Sequence, residues 1–341
     1  MRRRVLFLTI SDHRGASSRY RVYQYLPGLD AAGFDTKVIP PGERGPSLTR
    51  PFRRIREESR LLRDAKEADL IYIQKRLFST RFIERLLRLR RPLVFDFDDS
   101  IFTSPRGNWS AVTKARVIAR LAKVLRGSSL VVAGNRYLAE FANAYAGHVE
   151  ILPTAIDVSR YQKKGRERSN GLTLGWIGNQ ANQRYLDLLR GLLLALAEEL
   201  ADLRLVVVSD RDYGTPGVMV ENRRWSERTE VDDVLSFDIG LMPLEKDEWT
   251  LGKCALKALQ YMAASVPAVC SAVGANQEII DNGVDGFLCG SESDWREAIT
   301  CLASDPSLRA TIGTRGRAKV ERSYSTEKVS GQLVKLLLSL G

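Results

Sequence analysis

Short apolar runs, each too brief for a helix, recur along this chain and alternate with longer amphipathic segments. In the first half they are Val5 to Ile10, Thr36 to Ile39, Asp69 to Gln74, Leu93 to Phe97, Leu130 to Ala133 and Val149 to Leu152. After a polar, charged stretch from Tyr161 to Gly171 the pattern restarts with Leu172 to Ile177, Leu203 to Val208, Ile239 to Met242 and Pro267 to Cys270. Strands that alternate with helices predict an α/β chain with parallel sheets. The restart, and a length of 341 residues, predict two such domains. The polar stretch reads as the linker between them.

The stretch from Phe237 to Cys289 is the most informative. Its strand ends at Pro243, an acidic loop follows, and a helix is predicted with Thr250 as its N-cap. Lys253 stands where a capping box would put Glu or Gln, so a cation falls in the first turn, against the helix dipole. Spacing of i, i+4 and i+7 places Lys253, Lys257 and Gln260 on one face, with Leu256, Leu259 and Ala263 on another. Lysines crowded at a positive helix end call for an anion between them, and a phosphate on the amides of Leu251, Gly252 and Lys253 fits. A solvated lysine face is the plainer alternative.

The order strand, loop, helix, strand, Val273–Asn276 turn and Gly283/Gly286 turn resembles the donor-binding half of GT-B glycosyltransferases, in particular the large retaining family numbered four. That resemblance implies a fold of two Rossmann-like domains facing a cleft, with a last helix crossing back to the first. Its expected limits here are 1–160 for the acceptor side, 171–322 for the nucleotide-sugar side and 323–341 for the returning helix. In the family a Glu-x7-Glu pair contacts the donor sugar and the ribose. This chain has Gly252 and Gln260 at those positions, and so resembles a divergent branch in which Gln260 keeps the capacity to bond a ribose hydroxyl. The loop after Ile177 supplies further donor-binding candidates: Gly178, where the backbone can approach a phosphate, Asn179 with its amide, and Arg184. Ser209 and Asp210, at the end of another strand, would face the same ligand. Trp225 is either core or a platform for a base.

In the first half, Ser11 to Ser18 opens a helix carrying Arg19 and Arg21, and it lacks the GxGxxG of dinucleotide binders. The resemblance places the loop's Gly15, Ser17 and Ser18, with Arg19 and Arg21, beside donor diphosphate or acceptor; a solvated face for the two arginines is as plain. Asp96-Phe97-Asp98-Asp99 closes a strand. It could be a metal-binding DxD, a phosphatase-type nucleophile, or a set of acids at the carboxyl end of the sheet that contact the acceptor or complete a structural network. The third is the expectation, with Asp98 and Asp99 the acids to test first as catalytic groups, Asp96 beside them, and no metal assigned.

Charge is unevenly placed. Residues 1–126 hold 28 Lys and Arg against 13 Asp and Glu, whereas the remainder holds 24 against 28. Two Arg-rich helices, Thr49 to Lys66 and Thr80 to Leu89, are expected to form a surface for anionic lipid headgroups, although an Arg-rich face can also serve solubility alone. No apolar run reaches the roughly 20 residues that span a bilayer, so a cytoplasmic protein, peripheral to the inner membrane face, is expected. Two histidines and four cysteines without zinc spacing make a His-based metal site or triad a poor fit and predict reduced, mostly buried thiols.

Together these features predict a transferase that moves a sugar with retention from a nucleotide-diphosphate sugar to a hydroxyl of a lipid-linked or polysaccharide glycan. It would need no cofactor and no metal, because helix amides and cations would absorb the charge on the departing diphosphate. A non-catalytic scaffold of the same fold is the alternative, since the acid pair is absent. Nucleic-acid binding follows from charge alone and lacks a reader module.

Overall fold

The computed structural model describes residues 2–42, 50–162, 171–200 and 202–341. It divides into two compact units, Met1–Thr154 with Glu327–Gly341, and Ala155–Thr326. Part of the expected linker, residues 163–170, lies outside the described residues, as does Thr49.

The first unit holds strands β1 (Arg3–Leu8), β2 (Phe34–Ile39), β3 (Leu70–Gln74), β4 (Leu93–Phe97), β5 (Leu130–Ala133) and β6 (Val149–Ile151). They form one parallel sheet in the order β2-β1-β3-β4-β5-β6. Every residue of β3, β4 and β5 is buried, which is why these strands read as continuous apolar runs and not as alternating ones. Among the intervening helices, Arg136–Asn143 is capped by Asn135, whose side chain accepts from the Leu138 amide at 2.9 Å. The terminal helix, Thr326–Leu338, buries Val329, Leu333 and Leu337, and the guanidinium of Arg3 donates to the Leu337 carbonyl at 2.8 Å.

In the second unit β7 (Thr173–Ile177), β8 (Arg204–Ser209), β9 (Met219–Arg224), β10 (Ile239–Met242), β11 (Ala268–Ser271) and β12 (Phe287–Cys289) form a second parallel sheet, ordered β12-β11-β10-β7-β8-β9. Its core joins Leu174, Trp176, Leu205, Val207, Leu241 and Ile299. Tyr161, expected in the linker, is 2% exposed and belongs to this unit's interior. The four cysteines are free thiols, three of them buried. Burial pushes the Cys289 thiol up to about 12. Both sheets are α/β layers of the expected kind, and the GT-B architecture is compared below.

Candidate functional site: the carboxyl edges of two parallel sheets

A parallel sheet gathers the carboxyl ends of its strands along one edge, and a crevice opens there where the strand order reverses. In the second unit that point lies between β7 and β10, which pair through Ile239 with Leu174 and Gly240 with Gly175. Gly178 leaves β7 at this edge, Ser209 and Asp210 end β8, and Pro243 follows β10.

The helix predicted from Thr250 is instead two helices, because the local chemistry selects a different start. Asp247 is the N-cap of Glu248–Leu251: its carboxylate accepts from the Thr250 amide at 2.7 Å, and the Asp247 amide donates to the Thr250 hydroxyl at 3.1 Å. The amides of Leu251, Gly252 and Lys253, expected to hold a phosphate, donate to the carbonyls of Asp247, Trp249 and Thr250. They are engaged, so the anion site is not there. Ala255 then takes a left-handed conformation (φ 52°, ψ 28°) and a second helix, Leu256–Ala263, starts with no side-chain cap. Its first-turn amides include those of Leu256 and Ala258, and Lys257 sits at its second position.

The break also changes which side chains meet. Lys253 precedes the second helix, so it does not share a helical face with Lys257 and Gln260 as the spacing suggested. Its ammonium lies 5.3 Å from the ring centroid of Trp249. Lys257 lies 5.4 Å from the ring of Trp176. A Cβ on Gly178 would stand 2.6 Å from the Trp176 ring and 3.1 Å from Cε of Lys257, so the bare glycine admits both. The structure thus brings Gly178 and Lys257 together at the strand reversal. Gly274 (φ 54°) packs its backbone beneath the same region, where a Cβ would come within 2.9 Å of the Leu251 carbonyl oxygen.

Other expected donor-binding residues are turned elsewhere. Gln260 is 3% exposed and its amide donates to the Tyr161 hydroxyl at 3.4 Å, which corrects its placement as an open ribose ligand. Asn179 caps the short helix Gln180–Gln183, its side-chain oxygen accepting from the Asn182 amide at 3.2 Å. Asp210 accepts from the Gln180 amide at 2.6 Å and from the Ser209 hydroxyl at 3.3 Å, which fixes the same loop. Arg184 donates to the Tyr185 hydroxyl at 2.9 Å; that bond raises its pKa, and the carboxylates of Glu245 and Asp247 add to the effect. Its charge is therefore answered by the acidic loop. The Trp225 indole donates to Glu230 at 2.8 Å, which accounts for its place without a base.

The first unit's edge has its strand reversal between β1 and β3. Arg21 and Asp96 are both fully buried and joined by two bonds, Nε to Oδ1 at 3.1 Å and Nη2 to Oδ2 at 2.6 Å. Tyr72 donates to Asp96 at 2.6 Å, and Arg21 also donates to the Leu152 carbonyl at 2.5 Å. Burial works against the charge on Arg21, and the Asp96 carboxylate beside it more than restores it. This pair is a structural strut: Asp96 completes a network, one of the two places expected for it, and Arg21 is neither beside an acceptor nor on a solvated face. Arg19 is also buried, its guanidinium over the Tyr20 ring at 4.8 Å.

Next to the strut lies a second network, which sequence reasoning missed at its central residue. Lys75, directly after β3 and in a left-handed conformation (φ 59°), pairs with Asp98 at 3.2 Å and with Asp99. Ser17 donates to both oxygens of Asp98 at 2.7 and 2.8 Å, and Gln74 links Ser17 and Ser18 at 2.8 and 3.0 Å. Burial would push the Asp98 carboxyl up, but the charges of Lys75 and Arg21 and the Ser17 hydroxyl bring it below the ordinary range. A carboxylate so stabilised is a weak base, so the catalytic role expected of Asp98 does not suit its surroundings, and Asp99 shares the same lysine. A Cβ on Gly15 would lie 1.9 Å from the Ser11 hydroxyl oxygen, which is why the loop turns on a glycine. Lys75 could have been sought from register, since Gln74 lies opposite Asp96 and the next residue on β3's side must face the acids that end β4.

This pair of sheets defines the GT-B architecture. The Anabaena protein HepE, solved with UDP and glucose, superposes with a TM-score of 0.72 at 19% identity over 99% of this chain and 100% of that one. Sucrose-phosphate synthase from Thermosynechococcus elongatus gives 0.76 at 14% identity over 100% of both. At the level of family, residues 171–305 match the model of Glycosyl transferases group 1. Two curated relatives align. Human alpha-1,3/1,6-mannosyltransferase ALG2 is 36% identical over 83 residues, covering 24% of this chain and 20% of that protein. N-acetyl-alpha-D-glucosaminyl L-malate synthase of Bacillus anthracis is 28% identical over 142 residues, covering 38% and 36%. The chain thus aligns with a fifth to about a third of the length of these relatives.

Proposed function

We propose that this protein transfers a glycosyl group from a nucleoside-diphosphate sugar to an acceptor hydroxyl. The observation that carries the reading is Lys257, held at the uncapped start of helix Leu256–Ala263 and against the bare backbone of Gly178, at the strand reversal of the second sheet. A cation beside first-turn amides that lack a side-chain cap is a setting for a diphosphate, and it stabilises the charge that grows on the leaving oxygen. That chemistry calls for no metal, so turnover should survive a chelator. UDP is the first nucleotide to try, because HepE was solved with UDP and an Escherichia coli trehalose-6-phosphate protein with UDP-2-fluoro glucose.

Retention follows if the departing phosphate oxygen takes the proton of the acceptor hydroxyl on the face it leaves. No carboxylate of the first unit is needed as a base, which agrees with the lowered pKa of Asp98. The acceptor is a lipid-linked or polysaccharide glycan, taken up by the first unit beside the Ser11 to Ser18 loop. Among the described residues no helix is long and apolar enough to cross a membrane, so a membrane-bound acceptor would be met from the surface, through the basic first unit.

Calorimetry with UDP and GDP, on the wild type and on Lys257→Ala, tests the reading. Binding that the substitution weakens by an order of magnitude or more supports it; binding of equal strength would sink it. A second reading, a scaffold that binds nucleotide without turning it over, is favoured by Gly252 and the buried Gln260 in place of two acids. Nucleotide binding without sugar transfer or hydrolysis, across a panel of sugar nucleotides, would select it.

A further inference from the structure

The helix Ala111–Gly127 is buried only near its end, at Leu121, Ala122, Val124 and Leu125. Its first ten residues, 111–120, contain no buried side chain. Val112, Ala115, Arg116 and Ala119, spaced i, i+3, i+4 and i+7, share one face, and all four are exposed, Val112 to 67%. A helix face turned to water is ordinarily polar. Here it is three small apolar residues and one arginine, with Val117 and Ile118 half-buried beside it and Trp109 half-buried in the loop just before. Charge is equally one-sided: the helix carries Lys114, Arg116, Arg120, Lys123 and Arg126, and no Asp or Glu occurs anywhere from 100 to 139. One of these cations, Lys123, meets Glu84 at 2.8 Å from the neighbouring helix.

We propose that Trp109 and the first half of helix Ala111–Gly127 are the segment by which the first unit docks on an anionic lipid surface. Trp109, Val112 and Ala115 enter the headgroup boundary, while Arg116 and Arg120 meet lipid phosphates. The inference rests on the membrane-surface part of the reading above and moves its seat. The helices expected to form that surface, Arg50–Glu67 and Thr80–Leu87, interleave their arginines with acids, Glu57, Glu58, Asp64 and Glu67 in the first and Glu84 in the second. Charge complementarity thus favours the stretch that has no acids of its own.

Co-sedimentation of the full chain with vesicles of phosphatidylcholine mixed with phosphatidylglycerol, and with phosphatidylcholine alone, tests this. Wild type should bind the mixed vesicles only. Arg116→Glu with Arg120→Glu should lower partitioning by at least about 30-fold, at roughly fivefold per cation lost. Val112→Asp should lower it too, while UDP calorimetry and the thermal midpoint stay put in both variants. If these variants partition like wild type and Arg56→Glu with Arg60→Glu abolishes binding, the membrane reading stands and this helix is not its seat. Wild type that ignores both vesicles, or that binds single-stranded oligonucleotides in their place, overturns both.

Discussion

The carboxyl edges of the two sheets use similar residues to opposite ends. On the first, cations and acids are matched inside the unit: Arg21 with Asp96, Lys75 with Asp98 and Asp99, Ser17 bridging to Asp98. On the second, Arg184 too is answered by the acidic loop, but Lys257 and Lys253 also stand over indole rings, the glycine beside Lys257 is bare, and the helix start there lacks a side-chain cap. A matched set gives rigidity and shapes a loop. An edge of cations, glycine and uncapped amides favours an incoming anion. The comparison agrees with the donor role proposed for the second unit and gives the first edge a part in shaping its loop, although both edges look equally polar in the sequence.

Breaking the strut should have the largest effect. Asp96→Ala leaves Arg21 buried without its carboxylate, and a loss of about 3–5 kcal/mol is expected in urea unfolding. If the loss is within error, the first edge is not the rigid one. Lys257→Ala should show the reverse: turnover down about 100- to 1,000-fold, with the unfolding midpoint nearly unchanged. A stability defect without a rate defect would erase the distinction. Smaller still, Asp247→Ala removes the cap of Glu248–Leu251 and should cost about 1 kcal/mol.

The finest test is pH. Asp98 has a lowered pKa in the folded chain, so its contribution is fully present above the unfolded carboxylate pKa of about 4 and is lost as pH falls through the folded value. Wild type should therefore lose stability below about pH 4 more steeply than Asp98→Asn. Parallel curves would show that Lys75 and Ser17 do not stabilise the ionised form.

Much of this was legible in the chain, for reasons that can be stated. Strands buried on both faces are apolar along their middles, so β3, β5 and β8 announce themselves. β12 does not, being three residues long and half-buried over two of them. Gly178 and Lys257 were legible as candidates because strand ends and helix starts gather at one edge. Their meeting was not, since it depends on where the helix begins. Alanine is the best helix former, and nothing local marks Ala255 as the residue that goes left-handed. Pairing of Arg21 with Asp96 spans 75 residues and leaves no periodic trace, so nothing local named either as the other's partner. The buried Gln260 was misjudged for the same reason: its partner, Tyr161, lies 99 residues away in what read as a linker.

The left-handed Ala255 has a consequence for how such a site is held. By dividing the segment, it leaves Glu248–Leu251 anchored by its own capping box while Leu256–Ala263 begins afresh. Position 252 falls in the joint between them. Gly252 is buried there and its amide donates to the Trp249 carbonyl at 3.2 Å, so the joint is closed by backbone and not by a side chain. The seat proposed for the diphosphate, at the start of Leu256–Ala263, is thereby uncoupled from the capping that holds the segment before it.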